Sequence, residues 1–97
     1  MNETEIENYT KVFAALSNTI RLNIVLGILK NGRCNVNSMT QRLGISQALV
    51  SQHVKILKEA HIIEGTRDGN IIWYKICSDR TMQILNAISN DLLNEKN

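Results

Sequence analysis

The 97-residue chain has no proline, only two cysteines, and only one tryptophan, two tyrosines and one phenylalanine. Because proline interrupts helix interiors, its absence suits a mainly helical chain. A core must be built mostly from aliphatic side chains, and the 43% apolar content is enough for one small domain spanning residues 1–97. The sequence also lacks an apolar run of about 18 residues and a secretory signal pattern, so we expect a cytoplasmic protein without a membrane segment.

Charge is unevenly distributed along the chain, although the formal net charge is only +2. Residues 1–20 have a net charge of −2, and residues 76–97 have a net charge of −1. Between them, residues 21–75 carry eight Lys or Arg against three Asp or Glu, which gives +5. A basic central region of this kind predicts a partner with regularly spaced negative charge, such as nucleic acid.

The stretch from Val36 to Ala60 predicts two helices that meet at a tight turn, which is a helix-turn-helix. Ser38 has capping-box spacing to a glutamine and is therefore predicted to cap the first of these helices. Gly44 provides the backbone freedom that ends it. Ser46 is then predicted to cap a second helix from Gln47 to about Glu59.

The second helix of this pair is predicted to carry a polar arc that no carboxylate interrupts. Amide side chains hydrogen-bond adenine edges, alanine contacts a thymine methyl group, and lysine neutralises phosphate. The alternative is that this arc is only the solvated side of an amphipathic helix. The residues predicted to contact DNA from it are Gln47, Ala48, Ser51, Gln52 and Lys55.

Patterns on either side of the helix-turn-helix predict the other helices and a hairpin. Asp68-Gly69 predicts a two-residue turn between strands over residues 63–67 and 70–76, and residues 33–36 predict a brief strand. The tip of this hairpin is predicted to contact the DNA backbone through Arg67 and Asn70. The remaining predicted helices and their caps are residues 5–16 (Thr4), 20–30 (Asn18) and 79–93 (Ser78).

A helix-turn-helix followed by a hairpin predicts a winged helix, a mainly α fold with a small β-hairpin (α+β) in the order α-α-α-α-β-β-α. The last predicted helix has an apolar stripe that needs a partner, and so does the first. We expect both to form the interface of a homodimer, although they could instead pack on each other within one subunit. The predicted interface residues are Val12, Phe13, Met82, Leu85, Ile88 and Leu92.

Three segments resemble the ArsR family of winged-helix repressors: ALSNTIRLNIV from Ala15, LGISQALVSQHVKILKEAHII from Leu43, and RDGNIIWYKI from Arg67. The resemblance implies a small bacterial dimer that binds double-stranded DNA at a palindromic operator and represses transcription. It also implies release of the operator when a metal ion or a redox signal is sensed. The alternative function is a winged-helix module for protein contacts, acting as an accessory or anti-activator subunit.

The sensing residues of the family are missing from this sequence. Metal-thiolate members have two cysteines flanking a valine, where this chain has Asn35-Val36-Asn37. Members that bind metal between their last helices use Asp and His, whereas residues 79–97 contain no histidine. We therefore expect no metal and no cofactor.

Cys34 and Cys77 have two interpretations. Free cysteines in a cytoplasmic protein are usually packing residues. If the strand at residues 33–36 lies beside the second wing strand, however, the two thiols would be neighbours and could form a redox switch. Sulfur-responsive relatives use cysteines on the second and fifth helices, so Cys77 departs from that pattern as well.

No pattern in the sequence predicts an enzyme. There is no glycine-rich phosphate loop, no nucleophile with a base in a known motif, and no pair of carboxylates that indicates a cleft. His53 falls on the apolar side of its predicted helix and is expected to be a structural, hydrogen-bonded histidine. His61 is expected to be a solvated turn residue.

Overall fold

The computed structural model describes the backbone of residues 1–93 and the side chains of residues 1–89. The predicted order of elements is confirmed: five helices and one antiparallel hairpin form a winged helix. The predicted bounds of the fourth and fifth helices are also confirmed. The elements are α1 (Glu3–Leu16), α2 (Thr19–Asn31), α3 (Val36–Leu43), α4 (Gln47–Glu59), β1 (Ile63–Asp68), β2 (Ile71–Ile76) and α5 (Asp79–Leu93).

Three helices begin at the predicted capping residues. The Asn18 side chain accepts hydrogen bonds from the backbone N–H groups of Ile20 and Arg21 at the start of α2. The Ser46 hydroxyl accepts from the Leu49 N–H at 3.1 Å, and the Ser78 hydroxyl accepts from the Thr81 N–H at 3.1 Å. Each side chain thus satisfies donors that the first turn of a helix leaves unpaired.

Two predicted caps are wrong, and in both helices an asparagine takes the place of the predicted residue. Asn2, rather than Thr4, forms the capping box of α1 with Glu5. Asn35, rather than Ser38, caps α3, and Ser38 occupies the third helical position of that capping box. Asparagine caps a helix as well as serine does, so each helix gains residues at its start.

The hairpin differs from prediction by one residue at its turn. Asp68 pairs with Ile71, so the two loop residues are Gly69 and Asn70 rather than Asp68 and Gly69. Gly69 has φ 64°, a left-handed conformation that glycine adopts without steric cost. The strand predicted at residues 33–36 is reduced to a single antiparallel bridge, Cys34 with Tyr74.

The core is aliphatic, as the shortage of aromatic residues predicts, and α2 lies at its centre. In the cluster of buried hydrophobic residues, Tyr74 is the only aromatic side chain within the described part of the chain. No single described helix is long and apolar enough to cross a membrane, while α1 and α2 pass that test only as a pair bent by 101°. The fully buried large apolar side chains are Ile24, Val25, Ile28, Met39, Val50, Leu57, Ile62 and Leu85.

The helices α1 and α5 pack on each other within one chain. Packing of this kind is the alternative to a dimer interface that the sequence leaves open. The Tyr9 hydroxyl donates to Gln83 Oε1 at 3.2 Å, and the Arg80 guanidinium lies over the Tyr9 ring at 5.5 Å. Val12 and Leu85 belong to the core of the single chain, and Leu85 is 0% exposed. These two residues are therefore corrected from interface residues to core residues, because their side chains are already covered within the subunit.

The other predicted interface residues are placed differently. Phe13 remains 54% exposed, whereas Met82 and Ile88 are half-buried. Ile88 packs against the core cluster from its edge. Leu92 lies outside the residues whose side chains the structure describes.

Candidate nucleic-acid interface

The helix α4 has one face in the core and the opposite face in solvent. Val50, Val54 and Leu57 are buried and hold the helix against the rest of the domain. Ile56 lies at the edge of this buried stripe and is 36% exposed. The five residues predicted to contact DNA are all exposed, and they are Gln47, Ala48, Ser51, Gln52 and Lys55.

A groove of about 460 Å³ separates α4 from the hairpin, which is the wing of the fold. Gln47 and Ser51 form its α4 side, and Asn70 forms its side at the tip of the wing. The fold thus brings residues from both predicted contact regions to one open surface. The complete lining is Asn35, Val36, Asn37, Gln47, Ser51, Asn70, Ile71, Ile72 and Tyr74, which includes amides and hydroxyls but no charged side chain.

The first turn of α3 also lines this groove, which the sequence did not predict. Asn35 and Asn37 lie there because the bridge between Cys34 and Tyr74 ties the start of α3 to the wing. The predicted strand at residues 33–36 is the signal in the sequence that points to this placement. The predicted start of α3 at Ser38, instead of directly after an Asn35 cap, leaves Asn35 and Asn37 outside the helix, so the prediction misses their place beside the groove.

Arg67 lies near the tip of the wing, on the same face of the hairpin as Ile72. The two residues pair directly across the hairpin, and directly opposed residues project from the same face of a sheet. Ile72 lines the groove, whereas Arg67 does not. Its Nη1 donates to the Gly69 carbonyl at 3.5 Å, a long contact that leaves most of the guanidinium donors free.

Several cations in the basic region make contacts within the chain. Arg42 Nη2 donates to the Asn23 carbonyl at 2.7 Å, Lys75 lies 3.7 Å from a Glu64 carboxylate oxygen, and Arg33 stacks on Trp73 at 4.0 Å. The local charge of +5 therefore overstates the charge that is free to meet a partner. Lys58 lies over the Tyr74 ring at 6.0 Å, and Arg67 makes the long contact to Gly69. Apart from these two and from the Arg21 contacts described below, the remaining cations of this region are Lys30 and Lys55.

Gly27 allows Arg42 to lie flat against α2. A Cβ atom at position 27 would overlap the Arg42 guanidinium, which rests directly on the helix backbone there. The same guanidinium reaches the Asn23 carbonyl one turn earlier in α2. This contact fixes α3 against α2 and makes Arg42 a structural residue of the helix-turn-helix.

Comparison with known proteins agrees with this geometry. A family described as winged helix-turn-helix DNA-binding matches residues 17–64. The HTH-type transcriptional repressor SmtB of Mycobacterium tuberculosis is 35% identical over 75 residues, which cover 77% of this chain and 55% of SmtB. The chain thus spans about half the length of that relative.

Two further proteins match over more of their length. The biofilm growth-associated repressor of Xylella fastidiosa is 31% identical over 84 residues, which cover 87% of this chain and 70% of the repressor. The chain belongs to the ArsR/SmtB family of winged-helix repressors. The structure of HlyU from Vibrio cholerae superposes with a TM-score of 0.87 at 21% identity, covering 92% of this chain and 96% of HlyU, and shows the shared fold.

This ArsR/SmtB chain has asparagines where the family resemblance would place thiolate ligands. The Asn35 side chain caps α3 by accepting from the Ser38 N–H at 2.8 Å, and Asn37 is exposed. Within the residues that the structure describes, no group of three His, Cys, Asp or Glu side chains could hold a metal ion. At the start of α3 in this chain, Asn35 caps the helix, and Asn35 and Asn37 line the groove.

The two cysteines are too far apart to form a disulfide in this fold. Cys34 does lie beside the wing as predicted, but it faces Tyr74, with backbone hydrogen bonds of 3.0 and 2.7 Å. Cys77 is three residues further along, about 10 Å at the rise of an extended strand. A disulfide needs Cα atoms within about 7 Å, so the predicted pair cannot join without backbone movement.

The two thiols have different surroundings. Cys34 is buried and accepts a weak contact from Asn31 Nδ2 at 3.8 Å. Cys77 donates its S–H to the His61 carbonyl at 3.4 Å. Partial burial of the thiol, and then the nearby Glu64 carboxylate, raise the pKa of Cys77, which lowers its thiolate fraction at neutral pH.

His53 is hydrogen-bonded on the inner side of α4, which confirms that it is a structural histidine. The Arg21 Nη1 atom lies 3.2 Å from His53 Nδ1. Burial of the ring, and then the positive charge of Arg21, lower the pKa of His53 below its ordinary value of 6.5. The ring is therefore neutral at neutral pH, with Nδ1 as the acceptor.

His61 is exposed in the turn before β1, as predicted. Among the described residues it is the only one other than glycine with a positive φ, at 60°. Its carbonyl receives the Cys77 thiol, and the neighbouring Ile62 carbonyl receives the Cys77 N–H at 2.9 Å. These contacts fasten the far end of β2 to the turn that follows α4.

Proposed function

We propose that this protein is a homodimeric transcriptional repressor that binds double-stranded DNA at a palindromic operator. The observation that carries the proposal is the exposed face of α4, which contains no carboxylate from Gln47 to Lys58 and shares a groove with the wing tip. The repressor relatives and the winged-helix fold support the same function. We also propose that the protein acts in the cytoplasm and is not an enzyme, since DNA-binding regulators have no catalytic step.

In this proposal α4 enters the major groove and reads base edges. Gln47 and Gln52 can each present an amide donor and acceptor to adenine, and Ser51 can bond either a base or a phosphate. Ala48 can contact a thymine methyl group. Lys55 and Arg67 would neutralise phosphates, and such contacts set register and affinity without reading sequence.

Dimerisation would use the face of α1 that the core leaves open. Ile6 and Phe13 are 50% and 54% exposed, and they are seven residues apart, which places them on one side of the helix. Both lie next to Tyr9, where α1 meets α5. We expect such a dimer to bind half-sites about one turn of DNA, ~34 Å, apart, as dimeric helix-turn-helix proteins do.

The test of DNA reading is a binding measurement on fragments of the upstream region of the protein's own gene and on random duplexes of equal length. Gln52→Ala should cost about 1–3 kcal/mol on the preferred fragment and little on random DNA, because it removes a hydrogen bond to a base and leaves the phosphate contacts intact. Asn86→Ala is the control. It removes an amide side chain from an exposed site on α5 and should change neither affinity.

Two outcomes would contradict this proposal. If Gln52→Ala weakens preferred and random DNA equally, α4 is not the helix that reads sequence. If the wild-type protein prefers no fragment of its own locus, the alternative function as a protein-contact module takes its place.

A further inference from the structure

We infer that Arg21 is a positioning residue for the reading helix, holding α4 against the end of α1 through a neutral His53. The inference rests on the proposed DNA binding by α4. It adds that the angle at which α4 meets DNA depends on one guanidinium behind the helix, on the side away from the DNA. No direct contact of Arg21 or His53 with DNA is required.

A single side chain connects three helices at this point. Arg21 lies in the first turn of α2, where the Asn18 side chain accepts its backbone N–H at 3.1 Å. Its Nε donates to the Ala15 carbonyl near the end of α1 at 2.6 Å, and its Nη1 lies 3.2 Å from His53 Nδ1 on α4. The guanidinium is part-buried, and its donors point in fixed directions, so the contacts constrain orientation as well as distance.

The hydrogen bond to His53 exists only when that ring is neutral. Arginine has donors and no acceptor, so His53 Nδ1 must accept and its proton must reside on Nε2. Protonation would place an N–H donor and a positive charge against the guanidinium. The charged group in contact with the ring is the Arg21 cation of α2, and the same guanidinium donates to the uncharged Ala15 carbonyl of α1. Arg21 is the one charged group that acts on the titration of His53.

Among the described residues, no carboxylate acts on the titration of His53, so none would compensate a second positive charge. The one salt bridge among them, Lys75 with Glu64, lies on the wing. Protonation of His53 should therefore break the tether of α4 to Arg21. Because His53 directly follows Gln52 in α4, a small rotation of the helix displaces the side chains proposed to read bases, and such contacts tolerate little displacement.

The experiment measures affinity for the preferred fragment and for random duplex between pH 8 and pH 5.5, comparing wild type with His53→Gln. Glutamine can still accept from Arg21 but does not titrate. At pH 8 the two proteins should bind alike. At pH 5.5 wild type should lose specific affinity relative to His53→Gln by at most about tenfold, since the pKa of His53 lies below 6.5. Random DNA should show no such difference.

Two lysine substitutions separate positioning from simple loss of charge. Arg21→Lys keeps the charge but cannot make both contacts, so it should weaken specific binding at pH 8 and reduce the pH dependence. Arg42→Lys, the matched control, alters a guanidinium that joins α3 to α2 and should keep the wild-type pH profile. Circular dichroism at each pH checks that every variant is folded. If Arg21→Lys is not folded, the comparison of wild type with His53→Gln still tests the inference.

A readout without DNA separates this inference from the proposed function. The NMR titration of the His53 ring should move to higher pH in Arg21→Lys, because the fixed cationic contact is weakened, and should not move in Arg42→Lys. Parallel wild-type and His53→Gln affinity profiles would overturn the inference, as would an unchanged His53 titration in folded Arg21→Lys. If wild type shows no sequence preference at pH 8, the proposed function fails whatever the titration shows.

Discussion

Two exposed surfaces of this small domain differ sharply in chemistry. The exposed face of α4 presents amides, a hydroxyl and the Lys55 cation, and the adjoining groove adds asparagines beside Ile71 and Ile72, whereas the open face of α1 presents Ile6 and Phe13. Polar surface of the first kind suits a wet, charged duplex, and apolar side chains of the second kind suit another protein surface. Exposure alone therefore does not define a site, and the type of side chain indicates which kind of partner would cover it.

The largest expected effect is a loss of stability that distinguishes a core residue, Leu85, from a residue of the exposed α1 surface, Phe13. Leu85→Ala should destabilise the fold by about 2–5 kcal/mol, because the side chain is fully buried and leaves a cavity. Phe13→Ala should change the free energy of unfolding of an isolated chain by about 0.5 kcal/mol or less, as is usual for surface positions. Urea denaturation at a low protein concentration measures both. Equal losses would mean that Phe13 is a core residue and would remove the distinction between the two sites.

The next effect sharpens the role of the α1 surface. The double substitution Ile6→Glu with Phe13→Glu should convert dimers to monomers, because it places charges where an apolar contact is proposed. Lys11→Glu, on another side of α1, is the charge-matched control and should remain dimeric. Sedimentation at micromolar concentration distinguishes the species. Monomeric wild-type protein under these conditions would show that the exposed pair does not hold two subunits together.

The smallest expected effect concerns the edge of the DNA-facing surface. Arg67→Ala should weaken preferred and random DNA together and reduce the slope of log affinity against log salt concentration by about one for each phosphate that is no longer neutralised. Lys11→Ala removes a cation from α1, outside the basic central region, and should leave the slope unchanged. Titrations at several salt concentrations provide the slopes. A weakening confined to the preferred fragment would assign Arg67 to base reading.

Most of the local structure could be predicted from the sequence because its signals lie within a few residues of each other. Only residues within one or two helical turns of each other determine three of these features, which are the polar arc of α4, the Ser46 cap and the end of α3 at its glycine. The wrong predictions are local as well. At Asn2 and Asn35 two good caps compete within three residues, and the chain takes the earlier one in each helix.

The placement of the candidate site depended on contacts between distant residues. The apolar stripe of α5 led to the prediction that Leu85 lies in an interface. A stripe does not identify which surface will cover it, and in this structure the core of the same chain covers Leu85. Similarly, the net charge of the central region includes Arg21 and Arg42, whereas both donate to backbone carbonyls inside the domain. The separation of Cys34 from Cys77 followed from the register of one bridge.

The sequence by itself determined the order of helices and strands, the polarity of α4 and the aliphatic character of the core, since periodicity, caps and turns are properties of neighbouring residues. Only the tertiary structure decided which exposed side chains share the groove, which cations remain free, and that Arg21 meets His53 behind the reading helix. These are matters of distance between residues far apart in the chain. Sequence patterns specify faces of elements, and packing decides which faces meet.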